Sequence, residues 1–133
     1  MRTTRSNPDT VAAPIGTYSH AVRVETSDGI WIYVSGQIAS DPDGTLVGPN
    51  DLPAQTVQVF ENVKAILEAN GASFANVVKL QTYVTTLEGL AEMRQVRSRY
   101  LTSELPTSTA VQVVALVVPD AVIEVDVVAV ISS

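Results

Sequence analysis

Two carboxylates set two residues apart, Glu124 and Asp126, lie inside the apolar run Val122-Ile-Glu-Val-Asp-Val-Val-Ala-Val-Ile131. Side chains alternate across a strand, so both acids share one face with Val122, Val128 and Val130, while Ile123, Val125, Val127, Ala129 and Ile131 line the other. Burial among valines disfavours the charged form of a carboxyl group. Such a group acts either as a general base that orients a water or as a buried acid satisfied by backbone donors. Both readings stand for Glu124, whereas Asp126 is expected to face a neighbouring chain or a rim. His20 is the only histidine and no cysteine is present. Thiolate chemistry and cysteine metal sites are thereby excluded. With neither G-x-S-x-G nor H-E-x-x-H in the chain, a serine triad and a zinc protease site have no support, and His20 reads as a surface or seam residue. Ser35-Gly36-Gln37 closes an apolar run, and its glycine permits close approach of a ligand to exposed backbone N–H groups. Arg94, Arg97 and Arg99 crowd one segment. They are either a solvated helix flank or, through Arg94, an anion anchor.

The elements that position these groups follow from periodicity. Tyr18–Glu25 reads as a first strand, Ser27-Asp28-Gly29 as a turn and Ile30–Ser35 as a second, β-branched and aromatic strand. Asp41-Pro-Asp-Gly44 is a turn, and Thr45-Leu-Val47 a short edge strand. Val59, Val63, Ile66 and Leu67 recur at helical spacing within Pro53–Asn70. Asn50 or Asp51 caps that helix, and Gly71 ends it in the left-handed position. Val77–Thr85 is a strand, Leu87–Leu101 a second helix, and Ala110–Val117 and Val122–Ile131 two valine-rich strands. Residues 1–14 are polar and proline-punctuated, which predicts a flexible arm ahead of one domain over residues 15–133. The order predicts an α+β layer: one mixed sheet with two helices on one face. The other face then presents more apolar area than monomers tolerate, and closed cyclic assembly is the expected remedy.

At 133 residues, 46% apolar and 17% charged, the chain is one globular domain. A net charge of −6 and the lack of a basic patch with interleaved aromatics argue against nucleic acid. No run approaches the ~20 apolar residues that span a bilayer. The first residues carry no apolar leader segment, so a cytoplasmic location is the expectation.

Several strings resemble the RidA (YjgF/YER057c/UK114, L-PSP) family. They are Tyr18-Ser-His-Ala-Val22, Tyr33-Val-Ser-Gly-Gln-Ile38, Gln55–Leu67, Val77-Val-Lys-Leu-Gln-Thr-Tyr-Val84, Leu105-Pro106, Ala110-Val-Gln-Val113 and Ile123-Glu-Val-Asp126. The similarity runs in order from about residue 14 to 131. It implies a chorismate-mutase-like fold and a homotrimer with a central β-barrel and a pocket at each subunit seam. It also implies a deaminase-type hydrolysis of imino or enamino acids, with neither cofactor nor metal. By the same resemblance Glu124 orients water, Tyr18 lines the pocket, a backbone N–H near Gly36 meets the ligand, and Ser108 and Ala110 fall among the substrate contacts.

One departure matters. Where the family carries Pro-Ala-Arg, this chain has Pro106-Thr107-Ser108, so Ser108 stands at the position of the arginine that grips the substrate carboxylate. A guanidinium offers a carboxylate two parallel charged hydrogen bonds. At roughly 1.5–3 kcal/mol each, losing both costs about 3–6 kcal/mol. Arg94, at a helix position that reaches the pocket in the family, is the expected compensation. The sequence thus predicts a pocket for a small anionic metabolite, with hydrolysis of altered substrate range. The alternatives are a non-catalytic metabolite sensor or interaction protein and, with less support, an endoribonuclease or translation inhibitor.

Overall fold

The computed structural model describes residues 1–133. Six strands form one mixed sheet: β1 (Arg2–Ser6), β2 (Ala21–Glu25), β3 (Ile30–Gln37), β4 (Val77–Val84), β5 (Thr107–Gln112) and β6 (Ile123–Ile131), in the spatial order β1-β2-β3-β6-β4-β5. Only β4 and β5 are parallel neighbours. β3 and β4 both run antiparallel to β6, which lies between them. Parallel strands need a crossover, and two helices supply it: α1 (Leu52–Ala69) joins β3 to β4, and α2 (Leu90–Ser98) joins β4 to β5.

α1 starts where Asp51 accepts a hydrogen bond from the Ala54 N–H at 3.1 Å, with Pro53 in the first turn, where a missing N–H costs nothing. It ends at Asn70, followed by Gly71 at φ +80°. Its buried stripe, including Val59, Phe60, Val63, Ile66 and Leu67, packs on Ile32, Val34, Leu80, Ile123, Val125, Val127 and Ala129 of the sheet. Burial along β6 alternates: Ile123, Val125, Val127 and Ala129 are buried toward the helices, while Glu124, Asp126, Val128 and Val130 are half-buried on the opposite face. At the far end Phe60, Phe74 and Tyr100 form a cluster with ring centroids 5.2–5.6 Å apart. The expected α+β layer with both helices on one face is therefore the fold. No helix is long and apolar enough to cross a membrane.

Several boundaries differ from the sequence expectations. Residues 2–6 are not a loose arm but the edge strand β1: the outer rim of β2 offers free backbone groups, and Arg2 reaches Glu25 at 3.7 Å. Val11 is buried in the core. β2 begins only at Ala21, so Tyr18 and His20 lie in the preceding loop. Thr45–Val47 contributes a single bridge, Leu46 to Ser40, rather than a strand. α2 is shorter than 87–101, because the Thr86 hydroxyl takes the Glu88 N–H in a turn and Gly89 at φ +85° precedes the first helical residue. β5 spans Thr107–Gln112 rather than Ala110–Val117. Its one neighbour, β4, ends at Val84 opposite Gln112, and past that point the Val113 N–H still donates to the Val84 carbonyl at 2.8 Å before the pairing stops.

Candidate functional site

The site begins at an irregularity between β3 and β6. Val34 pairs with Val127 and Gln37 with Val125, so β3 carries one residue more than β6 over that interval. Such a bulge kinks its strand and re-aims side chains. Here it brings the backbone of Gly36 under the side chain of Glu124. A Cβ built on Gly36 would stand 2.8 Å from Cδ of Glu124 and 3.1 Å from its Cγ. Only a residue without a side chain leaves the carboxylate that position.

The bulge is held by a chain of polar contacts. The Ser35 hydroxyl donates to the Ser19 carbonyl at 2.6 Å, and the Ser35 N–H to the His20 carbonyl at 2.8 Å. Gln37 Nε2 donates to the Ser35 carbonyl at 3.1 Å and meets His20 Nδ1 at 3.0 Å. His20 Nε2 lies 2.6 Å from the Ala12 carbonyl oxygen. A carbonyl only accepts, so this network assigns the proton to Nε2 and leaves Nδ1 to accept from Gln37. His20 is buried, 6% exposed, and its backbone N–H donates to Asn7 Oδ1 at 2.8 Å. The expectation of a surface or seam histidine is thus corrected: the loop before β2 folds over the ring. Asn62 of α1 donates to the carbonyls of Ile38 at 3.1 Å and Ser40 at 2.8 Å, fixing the chain where it leaves β3.

Above the bulge lies a cavity of about 440 Å³. Glu124, Gly36 and Ser35 line it, His20, Gln37 and Asn62 border it, Ile15, Gly16 and Tyr18 form one wall, and Val117 and Val118 approach from the loop after β5. Burial pushes the Glu124 carboxyl above the ordinary glutamate value, and the neighbouring Asp126 charge adds to the effect. Burial also raises Asp126, against the opposing pull of the Tyr83 hydroxyl and the Lys79 ammonium. No group of three or more histidine, aspartate or glutamate side chains is placed to hold a metal ion.

Of the residues singled out in the sequence, Tyr18, Gly36 and Glu124 meet at this cavity. Ser108, Ala110 and Arg94 do not. Ser108 and Ala110 lie on β5, opposite Leu80 and Thr82, at the far edge of the sheet. Arg94 is exposed on α2 and takes no part in the ion pairs of the structure, which join Arg2 and Arg23 to Glu25. The side chain that does reach Ser108 is Arg97, whose Nη2 donates to Ser108 Oγ at 2.9 Å. Burial, with the nearby Arg94 charge, holds Arg97 below the usual arginine range. His20, Gln37 and Asn62 also border the cavity, a placement that the sequence did not reveal.

The family model described as Endoribonuclease L-PSP matches residues 9–131. This chain belongs to the RidA (YjgF/L-PSP) family. The RidA-type chain is 43% identical over 100 residues to a RutC family protein of Pyrococcus abyssi, a match that covers 75% of this chain and 76% of that one. It is 36% identical over 104 residues to the rat 2-iminobutanoate/2-iminopropanoate deaminase, covering 78% of this chain and 73% of the relative. Its structure superposes on that of RidA from an Antarctic Psychrobacter with a TM-score of 0.85 at 36% identity, covering 96% and 99% of the two chains. The family and the fold therefore agree with the resemblance noted in the sequence.

Proposed function

We propose that this RidA-family chain hydrolyses the C=N bond of a small imino acid, or of its enamine tautomer, in a pocket shared between neighbouring copies of a homotrimer. The observation that carries the reading is the half-buried Glu124 carboxylate, seated over Gly36 and facing a cavity large enough for a small metabolite. The name of the rat relative, a 2-iminobutanoate/2-iminopropanoate deaminase, supports the reaction class. The six residues of β5, all exposed along an edge with no further strand, support assembly, because open edges invite pairing or coverage.

In this reading Glu124 takes a proton from a water whose oxygen attacks the imine carbon, and the imine nitrogen is protonated. The resulting carbinolamine expels ammonia and closes to the carbonyl, so that C=N and water become C=O and ammonia. Backbone N–H groups around the Gly36 bulge stabilise charge that develops on the substrate, and Tyr18 walls the pocket. The raised proton affinity of Glu124 suits a base working near neutrality, because general-base efficiency is greatest when the pKa approaches the working pH.

The test supplies imines in situ from an amino-acid oxidase and follows ammonia release. Wild-type protein accelerates release, and Glu124→Gln returns it to the uncatalysed rate. Equal rates with and without wild-type protein refute the hydrolase and leave binding without turnover, the reading that a serine at position 108 favours.

A further inference from the structure

We propose that Arg97, resting on the Ser108 hydroxyl, is the anion anchor of this chain, and that it grips the carboxylate of the substrate in place of an arginine on the strand. The inference rests on the hydrolase reading for the identity of the ligand but on separate observations for the residue.

Arg97 is half-buried, yet no carboxylate pairs with it. Its guanidinium donates to Ser108 Oγ at 2.9 Å, and a second cation, Arg94, acts on it. A partly desolvated cation beside a like charge is unfavourable until an anion arrives. The donors are arranged for one. A guanidinium carries five N–H groups in a rigid fork, and Ser108 occupies one of them. Since Ser108 Oγ accepts from Arg97, its own O–H is left to donate outward. A carboxylate placed there meets a charged fork and a hydroxyl together, which is the geometry of bidentate recognition.

The position of the pair explains why it serves a shared pocket. Ser108 lies on β5, at the margin of the sheet away from β3, so the anchor is separated within one chain from the Tyr18, Gly36 and Glu124 cavity. The proposal therefore requires a second copy docked along the open β5 edge with its own cavity at that margin. Arg94 and Arg99 are both exposed and their side chains make no hydrogen bond or ion pair, so neither is held in place as Arg97 is. The competing structural role for Arg97 is a favourable cation in the last turn of α2. That role gives no preference between charged and neutral ligands.

The experiment measures binding of 2-oxobutanoate and of uncharged 2-oxobutanamide by titration calorimetry to the full-length protein. Wild type binds the acid more tightly than the amide. Arg97→Gln weakens the acid roughly 10- to 100-fold and leaves the amide unchanged. Arg97→Lys, which keeps the charge but not the fork, falls between. Arg94→Ala stays within about threefold of wild type, and Ser108→Arg added to Arg97→Gln restores binding of the acid. Equal affinity of wild type for acid and amide overturns the proposal, as does wild-type binding of the acid by Arg97→Gln, or the loss appearing in Arg94→Ala instead. The two readings fail separately. Without hydrolysis no ammonia is released, while the acid–amide difference and its dependence on Arg97 persist. Without the anchor, Arg97→Gln releases ammonia at the wild-type rate.

Discussion

The Glu124 carboxylate occupies the space that a side chain at residue 36 would need: a Cβ on Gly36 would stand 2.8 Å from Cδ of Glu124. The contact is with the end of a flexible side chain, so a methyl group there displaces the carboxylate rather than the sheet. Gly36→Ala is therefore expected to leave the unfolding free energy within about 1 kcal/mol of wild type. A misplacement of about 1 Å costs on the order of 10²-fold in rate, and ammonia release from imines should fall by that factor. Chemical unfolding and the deaminase assay, run on the same sample, check both halves.

Glu124→Gln should lower turnover by about 10²- to 10⁴-fold, the usual contribution of a positioned general base. In the wild type, activity is expected to rise with pH as Glu124 loses its proton, with the inflection above the ordinary glutamate value of 4.5, because burial first and the Asp126 charge second disfavour the anion. Stability moves the other way. A raised folded-state pKa means the native state holds more protons than the unfolded chain across that window, so stability is fullest below the ordinary value and falls as pH rises through the raised one. Asp126, also raised, has the same sign, moderated by Tyr83 and Lys79. Urea midpoints across pH ~4 to ~8 should decline in wild type and decline less in Glu124→Gln.

His20 ties the pocket wall to the bulge through the Ala12 carbonyl and Gln37. His20→Leu fills the same space but leaves that carbonyl and one Gln37 N–H without partners. A cost on the order of 2 kcal/mol is expected. Amide exchange should quicken across residues 12–18, where the wall is anchored, and stay near wild type in the hydrogen-bonded body of α1. Uniform acceleration over both segments would show that the ring supports the whole fold rather than the wall.

The open face of the sheet carries Tyr33, 48% exposed, at a position paired with Val22 and Val128. If copies of the chain cover this face, sedimentation at micromolar concentration shows a trimer, and Tyr33→Asp shifts it toward single chains, since a charge buried without a partner is strongly unfavourable. A folded single-chain wild type at that concentration removes the shared pocket.

The local pattern made β3, α1 and β6 legible, because each buries a stripe with a clear period: Ile30, Ile32 and Val34 in steps of two, Val59, Val63 and Ile66 in steps of three or four. β1 was not legible. Arg-Thr-Thr-Arg-Ser has no apolar stripe, and only the free edge of β2 makes it a strand. The valine run of 110–117 misled for the converse reason: high strand propensity after Val113 finds no strand to pair with, and Val114 and Val117 are left exposed in a loop. His20 could not be placed from its neighbours, because its burial depends on Ala12 and Gln37, eight and seventeen residues away.

By itself the sequence determined the α+β class and the family, and it singled out a carboxylate on the last strand, a glycine after the second apolar strand and a serine at position 108. Side-chain type and periodicity are local properties, and they survive in a string of letters. The tertiary structure alone decided that a one-residue bulge sets Gly36 beneath Glu124, that His20 is a buried brace, and that Arg97 rather than Arg94 reaches Ser108. Those outcomes depend on strand register and on the rotation of α2 over the sheet edge, which are fixed by the packing of the whole core and not by any segment within it.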